Sequence, residues 1–262
     1  MPIDLSPFAA VLLDLDGTIY HEEHALPGAI ELIRRLQRDG RKYACISNST
    51  TSPHQLAARI GRMGATVDPG HIYTAAAAAV DYVLDRFPPR PRVFNLSTDG
   101  VYEMLDGKVD WVQSSKEPCD AIIAGVAVNV HATEERQRIA LNLLRSGAAL
   151  VGICADRVYP SPRGIEFGSG AFNAMLGYAA NATPIFCGKP NRVFFTKLCE
   201  KLGVCPDQCV LIGDNLETDI IGARALAMKT VLPLTGVTRR EELEAVPPHL
   251  RPDHVVNDLT EL

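Results

Sequence analysis

The chain carries no run of lysine or arginine, and its formal net charge is −5. Nucleic-acid binders present a basic face, so none is predicted as a partner. A long apolar run is missing as well. The longest, "AIIAGVAVNV" from Ala121, is about half of what a membrane span requires, which predicts no membrane partner. The opening "MPIDLSPF" has neither the basic segment nor the apolar core of a secretory signal. Seven scattered cysteines, an odd number, make no disulfide framework. Cys205 and Cys209 have no second ligand pair nearby, so they read as small buried hydrophobes rather than zinc ligands. The seven histidines show no metal spacing, and His21 and His24 are expected on a solvated loop. Repeats and low-complexity tracts are absent. These absences predict a soluble protein of a reducing compartment, the cytoplasm.

What remains is ordinary in amount and regular in order. The 262 residues are 47% hydrophobic and 22% charged, enough for one large α/β domain or a core with a smaller companion. Strands are expected at 9–14, 42–47, 92–96, 120–125, 149–154, 184–187, 209–214 and 229–234. Helices are expected at 27–39, 53–63, 75–86, 131–146, 191–202 and 217–227. Ser52 before Pro53 and Thr74 before the alanine run have the chemistry of helix starts. "RFPPRPR" reads as a connector and "PSPRG" as a long polar loop. "GSGAFN" lacks the third glycine of a dinucleotide loop and reads as a turn into a helix. Alternation of this kind implies a parallel sheet with right-handed crossovers.

Ligands of parallel sheets sit at the carboxyl ends of the strands, and four of these ends are polar. The first is Asp14-Leu15-Asp16-Gly17-Thr18, the second Ser47-Asn48-Ser49-Thr50, the third Gly188-Lys189-Pro190, and the fourth Gly213-Asp214-Asn215 with Asp219 beyond. Asp14 and Asp16 point to one side while the chain stays extended. Two such carboxylates repel, and one pKa rises unless a cation stands between them. With Asp214 they form a hard-oxygen set suited to Mg²⁺. Lys189 suits a phosphate oxygen, Ser47 and Asn48 offer neutral donors, and Gly17 allows a turn whose N–H groups approach an anion. A carboxylate aimed at phosphorus is a known covalent nucleophile.

"LLDLDGTIY", "ISNST", "CGKPN" and "GDNLETD", in that order, resemble the four motifs of the haloacid dehalogenase (HAD) superfamily of phosphohydrolases. About thirty residues separate the first two motifs, and about 140 separate the second from the third. That placement resembles the NagD-like subgroup, with an α/β cap inserted between motifs two and three. The resemblance implies an α/β fold: a Rossmann-like core over 1–73 and 184–262, and an inserted cap, carrying substrate specificity, over 74–183.

The same resemblance implies roles for the residues it covers. Asp14 would attack phosphorus, and Asp16 would be the general acid and then the base. Asp14, the backbone carbonyl of Asp16 and Asp214 would hold Mg²⁺. Ser47, Asn48, Lys189 and Gly17 would bind the phosphoryl group, with Asp219 and Asn215 supporting them from behind. In the cap, the stretch matching the subgroup's substrate loop is "ICADRVYPSPRG". Asp156 keeps the pattern there, Cys154 and Ala155 depart from it, and Asp156, Arg157 and Arg163 are the specificity candidates.

The implied activity is a Mg²⁺-dependent phosphatase of small phosphomonoesters, a sugar phosphate, nucleotide or similar metabolite, acting through an aspartyl-phosphate. Caps of this kind can pair, which leaves a homodimer open. A dehalogenase would not need Asp16, a phosphomutase would place its cap between the first two motifs, and a P-type ATPase would need membrane spans. The competing reading from another class is a non-catalytic phospholigand-binding or scaffold protein on the same fold.

Overall fold

A computed structural model of the chain describes residues 3–161 and 163–262. Met1 and Pro2 of the opening octapeptide and Pro162 of the "PSPRG" stretch lie outside the described residues. The chain forms two compact units. One holds the chain up to Ser47, Pro53–Tyr73 and Lys189–Leu262, and the other holds Asn48–Ser52 and Thr74–Gly188.

The first unit opens with strand β1 (Ala10–Asp14), in which every residue is buried. A strand covered on both faces has no polar alternation to display, which is why "AVLLD" is apolar until its last residue. A small hairpin follows, β2 (Tyr20–His21) and β3 (His24–Ala25). It replaces the loop expected there, although His21 and His24 are exposed as anticipated. Helix α1 (Ala29–Arg38) buries Ala29, Leu32, Ile33 and Leu36, a stripe with helical spacing. β4 (Lys42–Ser47), α2 (Pro53–Arg62) and β5 (Ile72–Thr74) complete this half. Pro53 occupies the first helical position, where its missing N–H costs nothing.

The second unit is built the same way. Thr74 Oγ1 accepts from Ala77 N at 3.1 Å and starts α3 (Ala75–Arg86). β6 (Arg92–Leu96), α4 (Asp99–Leu105), β7 (Asp110–Trp111), β8 (Ala121–Ala124), α5 (Glu134–Arg145) and β9 (Ala149–Gly152) follow. The described residues of the stretch expected as a long loop are paired: β10 (Val158–Ser161) runs antiparallel to β11 (Gly164–Phe167), with Val158 opposite Phe167. A proline is admissible in a ribbon whose edges are unpaired. "GSGAFN" leads into α6 (Ser169–Ala180). β12 (Ile185–Phe186) pairs with β9, giving a five-stranded sheet of order β12-β9-β8-β6-β7. The stretch 184–188, expected in the core, therefore joins this unit, as do residues 48–52.

The first unit resumes with α7 (Arg192–Leu202), β13 (Cys209–Ile212), a wide helical turn over Leu216–Ile221 continuing into α8 (Gly222–Arg224), β14 (Lys229–Pro233), α9 (Arg240–Ala245) and β15 (His254–Val256). The helix expected to reach 227 is shorter and opens as that wide turn. The six-stranded sheet has the order β15-β14-β13-β1-β4-β5. β1 pairs in parallel with β4 on one side and β13 on the other. The chain runs outward from β1 in both directions, so β1 stands at the switch point of the sheet, where crevices form.

All seven cysteines are unpaired, with Cys205 exposed and Cys209 buried. Among the described residues, no helix is long and apolar enough to cross a membrane. Leu13 is fully buried in the first unit's core, against β4 and β13. Leu13→Ala is expected to lower unfolding free energy by about 2–5 kcal/mol, read as a shift of the urea midpoint.

Candidate active site

Register brings the strand ends together. Asp14 lies beside Ile46, one residue before Ser47. Leu13 lies beside Ile212, so the next step of the ladder reaches Gly213 and Asp214. Three strand ends of the first unit, those of β1, β4 and β13, therefore lie side by side, and Lys189 enters the same place. Lys189 Nζ donates to Asp14 Oδ1 at 2.5 Å and to Asp219 Oδ1 at 2.6 Å. Its side chain is only 3% exposed. Lysine is almost never buried to this degree without carboxylate partners, and here it has two.

Asp214 is held differently. Thr18 Oγ1 donates to its Oδ1 at 3.2 Å and accepts from its backbone N at 3.1 Å. Val237 N donates to Oδ2 at 2.7 Å. Two glycines leave room for this carboxylate. A Cβ on Gly236 would stand 1.8 Å from Asp214 Oδ2 and one on Gly17 2.5 Å away, and Gly17 also has a left-handed φ of 88°. No other residue combines that backbone with that clearance. Asp219 sits in the wide turn, where Asn215 Oδ1 accepts from Glu217 N and Thr218 N and Ile220 N reaches back to Asn215 O. Wide turns of this type recur at functional sites. Asn215 N donates to Asp219 Oδ2 at 3.2 Å.

Asp14, Asp214 and Asp219 each offer a carboxylate oxygen within 4.8 Å of the others, and all three residues are buried. Cys205 and Cys209 belong to no such cluster among the described residues. Burial pushes the Asp14 carboxyl up to about 7, opposed by Lys189 and reinforced by Asp214. Burial likewise pushes Asp219 up to about 7, reinforced by Asp14 and opposed by Lys189. Asp214 is raised by burial and by Asp219, against the Val237 N–H. For Lys189 burial acts downward, but Asp14 and Asp219 outweigh it and hold the ammonium charged. Three clustered carboxylates thus face one ammonium, and a divalent cation fits the donor set: hard oxygens, close together and in excess of positive charge.

Asp16 stands apart from that cluster. It is exposed to solvent, and Tyr20 Oη donates to its Oδ2 at 3.5 Å. Surrounding protein raises its pKa by desolvation, opposed by Arg59, Lys189, Tyr20 and Ser47. Ser47 is buried at the end of β4.

Within the second unit, Asn48 Nδ2 donates to Asp156 Oδ2 at 3.4 Å, so two candidates from different motifs face each other there. Arg157 is exposed at the foot of the β10–β11 hairpin, and Arg163, at its tip, pairs with Glu166 at 2.9 Å. Thr18, Gly236, Val237, Tyr20 and Arg59 carry no assignment from the sequence. Thr18 lies inside the quoted "LDGTIY" and was open to notice; Gly236 and Val237 follow β14 in a segment with no motif.

Residues 11–108 match the family described as haloacid dehalogenase-like hydrolase, and residues 186–262 match a second described as HAD-hydrolase-like. The chain is 29% identical over 247 residues to a protein of Staphylococcus aureus named acid sugar phosphatase, covering 93% of this chain and 94% of that one. Its fold is similar to that of a 4-nitrophenylphosphatase from Thermotoga maritima, with a TM-score of 0.87, 28% identity and 98% and 97% of the two chains covered. NagD from E. coli shares the fold at 23% identity and a TM-score of 0.85, covering 97% of this chain and 98% of that one.

The raised acids have a consequence for stability. A free aspartate titrates near about 3.9, whereas Asp14 and Asp219 titrate at about 7 in the fold. Between those values the folded chain holds more protons than the unfolded chain. The contribution of these two acids to stability therefore falls as pH rises from about 4 to about 7. Urea midpoints in EDTA at several pH values across that window should show Asp219→Asn with a shallower fall than wild type. An unchanged slope would contradict the assignment.

Proposed function

This chain belongs to the haloacid dehalogenase-like hydrolases, and we propose that it is a Mg²⁺-dependent phosphatase of small phosphomonoesters working through an aspartyl-phosphate. The observation that carries the reading is the environment of Asp14. Its carboxylate ends a buried central strand and is held by a buried lysine beside two further carboxylates. A group so fixed needs no reorganisation to meet an incoming phosphorus, and that is the main demand of phosphoryl transfer. The names of the relatives support the same class: acid sugar phosphatase in S. aureus and 4-nitrophenylphosphatase in T. maritima.

In the proposed reaction a carboxylate oxygen of Asp14 forms a bond to phosphorus as the ester P–O bond breaks. Asp16 gives its proton to the departing oxygen. A water then attacks phosphorus, Asp16 takes a proton from it, and the bond to Asp14 breaks to release inorganic phosphate. Proton transfer of this kind contributes about 10²–10⁴-fold. Lys189 and Ser47 bind phosphoryl oxygens, and Asp219 keeps the lysine in place. Asp14, Asp214 and the backbone carbonyl of Asp16 would hold Mg²⁺, which supplies charge neutralisation between carboxylates and phosphate. The exposure of Asp16 matches its proposed task, because a proton carrier has to reach both ester and water. The unpaired thiols accord with a reducing compartment, and we place the protein in the cytoplasm.

The test is hydrolysis of p-nitrophenyl phosphate and a panel of phosphorylated metabolites. Turnover is expected with Mg²⁺, lost in EDTA and restored by Mg²⁺. Asp14→Asn should reduce it to background while the circular dichroism spectrum stays native. Retained turnover in Asp14→Asn, or no turnover by wild type across the panel, would refute the proposal.

A further inference from the structure

The hairpin that follows the catalytic strand is tied to Asp16 more closely than a connector requires. Its first strand carries Tyr20, fully buried, whose hydroxyl donates to Asp16 Oδ2 at 3.5 Å. Gly17 N donates to Tyr20 O at 2.8 Å, so backbone and side chain of Tyr20 both engage the turn that bears Asp16. The tyrosine ring is in turn fixed from α2. The guanidinium carbon of Arg59 stands 4.5 Å from the ring centroid, a cation–π distance. Arg59 Nη2 donates to Glu22 O at 2.6 Å, and Glu23 Oε1 lies 3.3 Å from its Nε. Arg62 Nη2 donates to Glu23 Oε2 at 3.2 Å. One helix thus holds the hairpin at its tip through Arg59 and Arg62 and at its tyrosine through Arg59.

We propose that Tyr20 and Arg59 are positioning residues for Asp16: Arg59 fixes the Tyr20 ring, and the Tyr20 hydroxyl sets the direction of the Asp16 carboxyl toward the leaving oxygen. The inference rests on the phosphatase reading above. Asp16 is exposed and needs an external constraint to face one direction, whereas Asp14 is fixed by burial. A hydrogen bond that is long without substrate and tightens in the reacting complex is a common form of such a constraint.

Tyr20→Phe removes only the hydroxyl and keeps the ring under Arg59. It is to be compared with wild type on p-nitrophenyl phosphate, whose leaving group needs little protonation, and on glycerol phosphate, whose alkoxide needs a proton. The expected result is a loss of about tenfold or more in kcat/KM for glycerol phosphate, carried by kcat, with p-nitrophenyl phosphate within about twofold. In an Asp16→Asn background, Tyr20→Phe should leave the residual turnover of either ester unchanged, because the group it acts through is gone. Arg59→Met should show the same leaving-group selectivity and be non-additive with Tyr20→Phe. If Arg59→Met does not fold, Tyr20→Phe carries the test alone. Equal losses on the two esters, no loss on either, or a further loss in the Asp16→Asn background would overturn the positioning role while leaving the phosphatase reading standing. Wild-type inactivity on both esters and across the metabolite panel would remove that reading and this inference with it.

Discussion

A lysine ammonium buried between two carboxylates is the interaction on which the rest of this site depends. Lys189 lies 3% exposed between Asp14 and Asp219. Taking such charges out of water costs several kcal/mol each, so none of the three is tolerable alone. Each side chain is present in the interior because the others are. The arrangement is also unbalanced, because Asp214 adds a third carboxylate within reach of the first two. Burial raises the acids, and the neighbouring carboxylates add to it; hard oxygens this close together and in excess of positive charge are a donor set that fits a divalent cation.

The surrounding fold keeps this unbalanced cluster from relaxing. β1 has neighbours on both sides and no freedom to shift without moving β4 and β13. Asp214 is fixed by Thr18 and by the Val237 N–H, in space that side chains at Gly17 or Gly236 would fill. Asp219 is set by a wide helical turn that Asn215, the residue just before it, caps with its side chain while binding Asp219 with its own N–H. The charge at this site is held in place by regular structure elsewhere, here a core of buried, mostly aliphatic residues around the parallel sheet.

Much of this is legible in the amino-acid sequence. The run Val11–Leu13 reads as a doubly covered strand, and the four polar strand ends stand in order along the chain. Their convergence follows from one topological rule, that parallel strands put their carboxyl ends on one edge. What stayed hidden depends on register between distant segments. Thr18 and Asp214 are 196 positions apart, and nothing local in either stretch announces the pair. Gly236 looks like an ordinary turn glycine until its neighbour across the sheet edge is known. The hairpin β10–β11 was obscured by its prolines, and β7 and β15 by their two and three residues, too short for periodicity to register. The charge partners of the hairpin tip belong to a helix more than thirty positions downstream, which no window of sequence joins to Tyr20.

The two aspartates of "DLDGT" illustrate how far identical side chains diverge under different surroundings. Asp14 is buried, bound to an ammonium and surrounded by carboxylates; Asp16, two residues on, is exposed and touched by a phenol and a serine. Pairs of titratable groups whose environments differ in this way are how one site keeps separate acid, base and nucleophile roles at one pH. An attacking group gains from being immobile, because its partner comes to it. A proton carrier has to meet first an ester oxygen and then a water, so it gains from access together with a preferred direction. The sequence places both residues on one short segment, but the strand ends between them: Asp14 is the last residue of β1, and Gly17 turns the chain before Thr18 is buried. The difference in surroundings therefore comes from where the strand stops, and the proposed division of roles rests on the turn at Gly17 as much as on either carboxylate.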